Sequence, residues 1–527
     1  MTEPEKNNLK KELLEKYNMS DAGVSEILRQ LKIFENGIPF VHLIRPCKIN
    51  DGIKVPVLEQ KNRYQEEYRK AVDNKLILKF VPASGAASRM FKSLQAILAA
   101  DNQLTLKDLE EQTVNGNEDS KASLKFIHNV EKFAFYDELK ELMSVSGLNP
   151  DKLKKAGMFS DILRYTVESP GLNYANKPKG SLKFHKYPNG ARTAFEEHII
   201  EAINYAKGKD KIARIHFTIS PEHNQLARSI ISDAIEKQIM RNNIIDVSYS
   251  FQKPSTNTLA VTIDNKPFRV GDGKILFRPG GHGALLDNLN DLEADIIFIK
   301  NIDNIAPDHL KDETYKYKKI LCGLLIEIQN KLFSFLALLE NSKADKSKID
   351  EIKEFCINEL ELNLTGGFEN MSLIEKSEYL FSELNRPIRV CGMVVNEGHP
   401  GGGPFWIKDG KGRISKQVIE TTQVDLNDPN QKKILESATH FSPVDLVCGI
   451  KSYKGEKFNL KNFTDPDSGL IAIKSYEGKE LKALELPGLW NGGMANWISV
   501  FVEVPKITFT PVKEINDLLQ EEHQPLK

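Results

Sequence analysis

The chain has few cysteines and almost no net charge. Its 527 residues include five cysteines, which lie far apart without a CxxC pair or another metal-ligand spacing. This usage is typical of reduced, mostly buried thiols in a cytosolic protein. Lysine and arginine number 72 against 73 aspartates and glutamates, so no global basic field favours a nucleic-acid partner. Any phosphate ligand must therefore be bound by a local site.

Long apolar runs and metal-ligand clusters are also missing. The N-terminal residues are charged and include no apolar segment of the kind found in secretory signals. The most apolar helical stretch, Ile320–Leu339, contains Glu327 and Lys331, which predicts that it is too polar to span a bilayer. His282 and His399 each lack a partner at ligand spacing, which argues against a zinc site. We expect a soluble cytoplasmic protein without a membrane partner.

Length and pattern predict a multidomain α/β chain. At 527 residues there is room for three or four domains of about 150 residues each. Strand and helix signals alternate from residue 176 to residue 305, which favours parallel βαβ units with helices covering the sheet. The predicted organisation is a helical N-terminal extension (1–75), an α/β core (76–305) with a helical insertion (101–175), a helical segment (306–385), a strand-rich part (386–505) and a charged tail (506–527).

The first informative stretch is Leu76–Lys92. Its apolar start is typical of a buried strand, which ends at Pro82 and is followed by the small residues Ala83–Ser88. Small residues between a strand and a helix let the backbone approach a ligand, and a helix N-terminus presents free N–H groups to an anion. Arg89, in the opening turn of the next helix, adds a forked cation suited to phosphate. These residues alone are equally compatible with an ordinary strand–helix connection and a solvated arginine.

Two further stretches, one around Pro178–Gly180 and one over Phe277–Asn304, have residues suited to binding a phosphate or a metal ion. Pro178-Lys179-Gly180 places a lysine in a turn, either as a point-charge partner for phosphate or as a plain surface lysine. Pro279–Gly283 is a compact turn before a helix, again permitting backbone contact with a ligand. Asp303 follows the apolar strand Ile296–Lys300, and ligands of open α/β sheets bind outside the carboxyl ends of the strands. A carboxylate there is a natural Mg²⁺ ligand, although turn and helix-cap roles are common alternatives.

The chain has, in order, a small-residue loop with an arginine, a lysine turn and an acidic strand end. This order resembles the sugar-1-phosphate nucleotidyltransferases, the nucleoside-diphosphate-sugar (NDP-sugar) pyrophosphorylases with a Rossmann-like, GT-A-type domain. That family's signature is a small-residue loop ending in Gly-x-Gly-Thr-Arg-Leu/Met, followed by Pro-Lys. Here Ala83–Met90 resembles the loop, and Pro178-Lys179 resembles the Pro-Lys, displaced by the helical insertion. Phe441–Val444 is similar to a piece of the uridylyltransferase branch. The chain as a whole also looks like members of an uncharacterised bacterial family placed in this superfamily, and the resemblance covers about residues 76–505.

The resemblance implies both a fold and an activity. The fold would be α/β, with a Rossmann-like (GT-A-type) mixed, mostly parallel central sheet, a helical N-terminal extension, helical insertions and a strand-rich C-terminal part. The activity would be the Mg²⁺-dependent transfer of a nucleotidyl group from an NTP to a sugar-1-phosphate, giving an NDP-sugar and pyrophosphate. The expected NTP is UTP. This reaction needs positioning and charge neutralisation rather than a protein nucleophile. It fits the absence of any Ser/His/Asp or Cys/His set at recognisable spacing.

Residue roles follow from the same resemblance. Arg89 would clamp the departing pyrophosphate, Lys179 would bridge the triphosphate and the sugar phosphate, and Asp303 would hold Mg²⁺. Asn491, in the nearest match to a bacterial Trp-x-Asp-x-Gly-Thr motif, stands where a second metal ligand is expected. The groups expected to hold the nucleobase and ribose are Ala83, Ser84, Gly85, Ala86, Gln252, Gly280, Gly281, His282 and Gly283.

Sugar recognition is expected at Asn396 and Glu397, which follow the apolar strand Ile388–Val395. A glutamate can accept hydrogen bonds from two sugar hydroxyls, and Trp406, beyond a glycine-rich loop, could stack on the ring. The alternative is a glycine-rich hairpin with Trp406 in the core.

Three positions depart from the family's pattern and keep other functions open. Ala87 replaces a glycine, Asp445 replaces a lysine, and Asn491 offers an amide in place of a carboxylate. They favour a catalytically silent NDP-sugar-binding or regulatory protein as the second hypothesis. A GT-A-like glycosyltransferase is the third, because Asn301-Ile302-Asp303 supplies only half of a DxD-type metal motif.

Overall fold

The computed structural model describes residues 1–100, 104–340, 344–398 and 401–526. They form two compact units, each assembled from three stretches of chain. The first unit comprises Met1–Tyr68, Gln252–Ile297 and Leu321–Val504, and the second comprises Arg69–Phe251, Phe298–Ile320 and Pro505–Lys527. The expected α/β core, 76–305, is thus divided after Phe251. The expected charged tail belongs to the second unit, because Val512, Ile515 and Leu518 are buried.

The helices and strands have the following bounds. The α-helices are α1 (Glu3–Glu15), α2 (Asp21–Asn36), α3 (Leu58–Val72), α4 (Lys92–Ala100), α5 (Leu106–Val114), α6 (Glu118–His128), α7 (Tyr136–Val145), α8 (Pro150–Lys155), α9 (Ser160–Val167), α10 (Ala194–Tyr205), α11 (Asn224–Ile239), α12 (Leu285–Asn290), α13 (Lys311–Glu340), α14 (Lys346–Glu354), α15 (Leu373–Leu384) and α16 (Pro429–Glu436). The strands are β1 (His42–Pro46), β2 (Lys48–Ile49), β3 (Gly52–Lys54), β4 (Ile77–Pro82), β5 (Lys183–Tyr187), β6 (Gly190–Thr193), β7 (Ala213–Thr218), β8 (Ile245–Ser250), β9 (Thr258–Val261), β10 (Phe277–Arg278), β11 (Ile296–Lys300), β12 (Ile388–Val395), β13 (Gly403–Lys408), β14 (Ile414–Ile419), β15 (His440–Phe441), β16 (Asp445–Gly449), β17 (Leu470–Tyr476), β18 (Lys479–Glu485) and β19 (Ile498–Glu503).

A parallel sheet forms the centre of the second unit. Its strand order is β11-β4-β7-β8, and β4, β7 and β8 pair in parallel, with Lys79 opposite Ile215 and Ala213 opposite Ile245. The carboxyl ends of these three strands therefore share one edge of the sheet. Helix α10 packs against β7 and α11. The apolar runs that mark β4, β7 and β11 are buried almost throughout, as expected of strands covered on both faces.

In the described part of the first unit, the strands form three sheets. In the largest, the order is β2-β3-β19-β12-β16, where β12 pairs in parallel with β19 and antiparallel with β16. The antiparallel sheet β10-β9-β18-β17 is covered by α1 and α2, whose residues Leu13 and Ile27 share a core cluster with Leu259. The third sheet has the order β1-β13-β14. The prediction of an α/β chain with a mixed, mostly parallel central sheet is confirmed. Strand β9, within the range 176–305 where parallel βαβ units are expected, differs from that expectation because it lies in an antiparallel sheet.

Helix α13 is unusually apolar for its length. Asp308–Glu340 is, by length and composition, long and apolar enough to cross a membrane, with a mean hydropathy of 1.5 in its most apolar window. The prediction that this stretch is too polar to span a bilayer was therefore wrong on composition, because Glu327 and Lys331 do not outweigh the surrounding leucines and isoleucines. Of that window, 67% is buried in the protein, as in a core helix.

Gly323 in α13 permits a close helix contact within the first unit. A Cβ atom at this position would lie 1.8 Å from the carbonyl oxygen of Tyr64 in α3. We expect Gly323→Ala to lower the free energy of unfolding by about 1–3 kcal/mol, because the backbone must shift, in spite of alanine's better helix propensity. Gly366→Ala is the matched control, since nothing lies within 4 Å of its Cβ. Urea titration of both variants tests this, and equal stabilities would contradict it.

Candidate functional site

The loop after β4 is paired with the segment that contains Lys179. The N–H of Ala83 donates to the carbonyl oxygen of Thr218 at 2.9 Å, which ties the loop to the end of β7. Further along, the N–H of Ala87 donates to the carbonyl oxygen of Lys177 at 2.9 Å, and the N–H of Lys179 donates to that of Gly85 at 3.1 Å. Helices α4–α9 occupy most of the intervening sequence. The structure thus brings together the small-residue loop and the lysine turn, which lie about 90 residues apart in sequence.

Gly85 and Arg89 are the open part of this loop. A Cβ added at Gly85 would meet no atom within 4 Å, so the protein's own packing does not demand a glycine there. Arg89 lies in a short 3₁₀ helix, Ala87–Phe91, and its side chain is exposed. No ion pair or hydrogen bond holds its guanidinium among the described residues, so the group remains available to an anion.

Lys179, Asp303 and Lys513 form one charge cluster in the second unit. The Nζ atoms of Lys179 and Lys513 lie 3.1 Å and 3.0 Å from the same oxygen, Oδ2 of Asp303. Lys179 Nζ also donates to the carbonyl oxygen of Val512 at 3.2 Å. The side chain of Asp303 is 11% exposed and that of Lys513 is 57% exposed, so one ammonium group of the cluster faces solvent. The cluster carries a net charge of one positive unit, which suits phosphate.

The C-terminal segment is held against the end of β11 by backbone contacts. The N–H of Val512 donates to the carbonyl oxygen of Asp303 at 2.9 Å, and Asn304 Oδ1 accepts from the N–H of Thr510 at 3.1 Å. Burial by itself raises the pKa of Asp303, but the ammonium groups of Lys513 and Lys179 outweigh burial and hold the pKa below its ordinary value. Asp303 is therefore ionised at neutral pH.

Lys513 is the residue that sequence reasoning missed. It lies in a segment that was expected to be a charged tail, and its contact with Asp303 joins positions 210 residues apart. No local motif marks it: the segment also contains Lys506, and neither lysine lies in a recognisable signature. Only the pairing of residues 510–512 with the end of β11 distinguishes it.

Whether Asp303 can bind a magnesium ion depends on Oδ1, the carboxylate oxygen that the two lysines do not contact. Oδ1 of Asp303 is buried and has no hydrogen-bond partner among the described residues, while Oδ2 is held by the two lysines. In the part of the chain that the structure describes, no group of three or more His, Cys, Asp or Glu side chains could hold a metal ion. Asp303 fits a Mg²⁺ that takes one protein carboxylate and completes its shell with substrate phosphates and water.

Asn491, the other expected metal ligand, belongs to the first unit. Its Nδ2 donates to Glu420 Oε1 at 3.0 Å and to Gln423 Oε1 at 3.2 Å. Its Oδ1 is buried without a partner in the described residues. The amide nitrogen thus has a packing role, and only the oxygen could serve as a ligand.

The glycines at 280–283 are explained by packing within the first unit. A Cβ at Gly280 would lie 2.7 Å from the carbonyl oxygen of Thr256, and one at Gly283 would lie 2.2 Å from that of Pro487. His282 stacks on Trp490 with ring centroids 4.4 Å apart, and its Nδ1 accepts from the N–H of Leu489. Unlike Gly85, these glycines are required by contacts of the chain with itself.

The other residues expected to bind nucleotide or sugar also lie in the first unit. Gln252 Nε2 lies 3.5 Å from Asn257 Oδ1. Asn396 Oδ1 accepts from the N–H of Gly398 at 3.0 Å, and Glu397 is exposed. Trp406 is buried in β13 with the Arg45 guanidinium 4.9 Å from its ring centroid, which favours the core alternative over a sugar platform. His399 lies outside the described residues.

Val444, at the end of the Phe441–Val444 segment, has an unusual backbone conformation. Its φ is +57°, which is rare for a β-branched residue and is typical of strain held by the surrounding structure. Asp445, the residue that replaces the family's lysine, begins β16 directly after it and is buried. Strained residues concentrate at functional sites, so the segment Phe441–Val444 is a further candidate for a functional role in the first unit.

Residues 10–524 match the model of the family described as a domain of unknown function, DUF4301. The chain therefore belongs to this family. No curated protein matches the chain.

Several solved structures are similar over almost the whole chain. The uridine diphosphate N-acetylglucosamine pyrophosphorylase of Trypanosoma brucei has 12% identity and a TM-score of 0.46, with 98% of this chain and 79% of that chain covered. The UDP-glucose pyrophosphorylase of Leishmania major has 11% identity and a TM-score of 0.43, with the same shares covered. Because identity is this low and the TM-scores lie below 0.5, we argue function from the residues of the chain itself.

Proposed function

We propose that this protein is a Mg²⁺-dependent nucleotidyltransferase that forms an NDP-sugar and pyrophosphate from an NTP and a sugar-1-phosphate. The observation that carries the proposal is the convergence of the loop Ala83–Arg89 with Lys179, Asp303 and Lys513 in one unit. The family resemblance of the loop and the Pro-Lys turn supplies the reaction type, and uridine is the expected base.

The chemistry is an in-line displacement at the α-phosphorus of the NTP. A phosphate oxygen of the sugar-1-phosphate attacks, a new P–O bond forms, and the bond between the α-phosphorus and the bridging oxygen breaks as pyrophosphate leaves. No proton has to be removed by a protein base, because the attacking oxygen is already anionic. Catalysis then depends on alignment and on positive charge next to the phosphates.

The three basic side chains, Lys179, Lys513 and Arg89, differ in exposure, and we assign their roles on that basis. Lys179 is nearly buried and held by Asp303 and the Val512 carbonyl, so its Nζ is a fixed point charge, which suits the predicted role of bridging the triphosphate and the sugar phosphate. Lys513 and Arg89 are exposed, which suits them to the mobile β- and γ-phosphates that leave as pyrophosphate. Asp303 positions both lysines through a single oxygen.

A magnesium ion bound with the nucleotide would be held by Asp303 Oδ1 and by phosphate oxygens. Its role would be to neutralise charge on the triphosphate. The nucleoside contacts at Gln252 and Gly280–Gly283 and the sugar contacts at Asn396 and Glu397 stay predictions from the family resemblance, and the proposal does not depend on them.

The test is pyrophosphate release from each of the four NTPs across a panel of sugar-1-phosphates, with Mg²⁺ and with EDTA. We expect release only when an NTP, a sugar-1-phosphate and Mg²⁺ are all present, and fastest release with UTP. Folded protein that releases no pyrophosphate across the whole panel would contradict the proposal.

Catalytically silent NDP-sugar binding is the second candidate function. It is favoured by the Asp303 carboxylate, which is already neutralised by two lysines, and by the amide of Asn491 at the other expected ligand position. A silent protein would be stabilised thermally by NDP-sugars with or without Mg²⁺ and would release no pyrophosphate. The same panel therefore separates the two functions.

A further inference from the structure

A cavity of about 480 Å³ lies within the first unit, and none of the site candidates discussed above is among its lining residues. Arg386, just before β12, and Trp497, just before β19, contribute to its wall, together with the residues that enter β14. Its size is within the range of small-molecule sites. Polar and charged side chains predominate among the lining residues, so the cavity is suited to a polar ligand.

The cavity is at the opposite end of β12 from Asn396 and Glu397. Arg386 precedes the first residue of β12 by two positions, and Asn396 follows its last residue. At about 3.3 Å per residue, the strand separates the two positions by roughly 30 Å. The cavity is therefore distinct from the expected sugar-binding residues, which follow the carboxyl end of the strand.

Two guanidinium groups face this cavity with unused donors. Arg386 pairs with Glu383 at 3.1 Å through Nη2, and Arg413 pairs with Asp409 at 2.8 Å through Nε. Within the described chain, neither Nη1 atom has a hydrogen-bond partner. Burial lowers the pKa of Arg386, and the positive charge of Arg413 lowers it further, although Glu383 opposes both effects. An anion between the two groups would relieve their repulsion and accept both free donors.

Further positive charge lies directly behind the cavity wall. Arg389 is completely buried, and its partners are neutral: Ser499 Oγ at 2.8 Å, the carbonyl oxygen of Trp490 at 2.6 Å and Gln417 Oε1 at 3.4 Å. Ser499 and Gln417 themselves line the cavity. Among the residues that the structure describes, Arg389 has no carboxylate partner. A buried charge without a counter-ion is costly, and an anion in the cavity would compensate it.

The backbone around the cavity is irregular in a way that is common at binding sites. A π-helical turn, Phe355–Glu359, precedes it, and Glu361 in the wall has a left-handed φ of +54°. The carboxylate of Glu361 pairs with Lys416, which is buried in β14. Each of the three carboxylates in the cavity wall is therefore paired with one cation: Glu361 with Lys416, Glu383 with Arg386 and Asp409 with Arg413. Lys411, which also lines the cavity, and Arg389 have no carboxylate partner among the residues described.

We propose that this cavity binds a small metabolite through an oxyanion, a phosphate or a carboxylate, held between Arg386 and Arg413. The remaining volume would accept the polar body of the metabolite, next to side chains such as Asn363 and Ser415. The proposal is independent of the nucleotidyltransferase chemistry, since it involves none of the residues assigned to that chemistry.

Hydrogen exchange with inorganic phosphate and malonate, each compared with chloride at equal ionic strength, tests the proposal. We expect at least one of the two anions to slow exchange saturably in the peptides that cover residues 361–366 and 411–417. Protection by phosphate alone indicates a phosphate ester, protection by malonate alone indicates a carboxylate, and protection by both supports the shared chemistry. No protection beyond that of chloride would overturn the proposal.

Single substitutions test whether the anion that slows exchange binds in this cavity. Arg413→Gln and Lys411→Gln change exposed side chains, and we expect Arg413→Gln to weaken the protection at least tenfold in anion concentration. Arg214→Gln is the matched control, because Arg214 also pairs with an aspartate four residues earlier but lies in the second unit. Lys179→Ala should leave the cavity's protection unchanged, which separates it from phosphate binding at the candidate active site. Unaltered binding by both Arg413→Gln and Lys411→Gln would contradict the assignment.

Discussion

Turnover by the Arg89→Ala variant is expected to fall by about 10²–10³-fold, as when one preorganised donor to a developing anion is removed. The free energy of unfolding should change by no more than about 0.5 kcal/mol, because the side chain is exposed and holds no ion pair among the described residues. Pyrophosphate release measured together with urea unfolding tests both halves of this expectation. Arg241→Ala, another exposed arginine of the second unit, is the matched control and should retain full turnover.

Turnover by Lys513→Ala should fall as in Arg89→Ala, but stability should also decrease, because this variant removes one of the two ion pairs of the nearly buried Asp303. Lys513→Arg should retain part of the activity, since it keeps the charge but changes the geometry. Asp303→Asn is a different kind of variant. It leaves Lys179 and Lys513 without their shared carboxylate, so turnover and stability should both decrease.

A loss of turnover in Arg89→Ala that is matched by a loss of folded protein would argue for a structural role of Arg89. Wild-type turnover in both Arg89→Ala and Lys513→Ala would refute the assignment of these cations to the leaving pyrophosphate. The two outcomes are separable because stability and turnover are measured on the same preparations.

The part of the site that could be predicted from sequence is the part encoded by local patterns. An apolar run followed by six small residues and an arginine predicted β4 and its loop to within a residue, because burial and chain flexibility are properties of neighbouring residues. Lys179 could be named because the Pro-Lys-Gly turn resembles a family signature. Its backbone contact with Gly85 is visible only in the fold, since the helices between them had to place the two segments together.

The parts that could not be predicted depend on contacts between distant positions. Lys513 has no local signature, and its role arises from the pairing of the C-terminal segment with the end of β11. The glycines at 280–283 resembled a ligand-binding turn, yet their packing partners are residues 256 and 485–487, which no local pattern connects to them. Lys79 lies inside the apolar run of β4, where no local pattern shows that it belongs to a buried ionic cluster.

That cluster, in the second unit, has one carboxylate between two buried lysines. Glu201 Oε2 lies 2.7 Å from Lys79 Nζ, and Oε1 lies 2.8 Å from Lys300 Nζ, with all three side chains removed from solvent. Burial lowers the pKa of Lys79 to about 7, although the charge of Glu201 opposes this shift. Burial would raise the pKa of Glu201, but Lys300 and Lys79 hold it well below its ordinary value. The cluster thus has one cation more than its carboxylate can neutralise.

The pH dependence of stability follows from these two shifts. Between about pH 7 and the ordinary lysine pKa of 10.5, the unfolded chain binds the Lys79 proton more tightly than the folded chain does. The contribution of Lys79 to the free energy of unfolding should therefore increase with pH across this window. The contribution of Glu201 is present above its ordinary pKa of 4.5 and is lost as pH falls through its lower folded value. Urea titrations from pH 2 to pH 11 measure both slopes.

Glu201→Gln should be the most destabilising single substitution considered for the second unit. It removes the one carboxylate of the cluster and leaves Lys79 and Lys300 without a counter-ion, so we expect a loss of about 3–5 kcal/mol in the free energy of unfolding. Glu118→Gln, which breaks an exposed pair with Lys121, is the control and should cost no more than about 1 kcal/mol. Adding Lys79→Met to Glu201→Gln should restore part of the loss, because it removes one unpaired buried charge. A loss below about 1 kcal/mol in Glu201→Gln would mean that water or a neutral lysine already relieves the charge of this cluster.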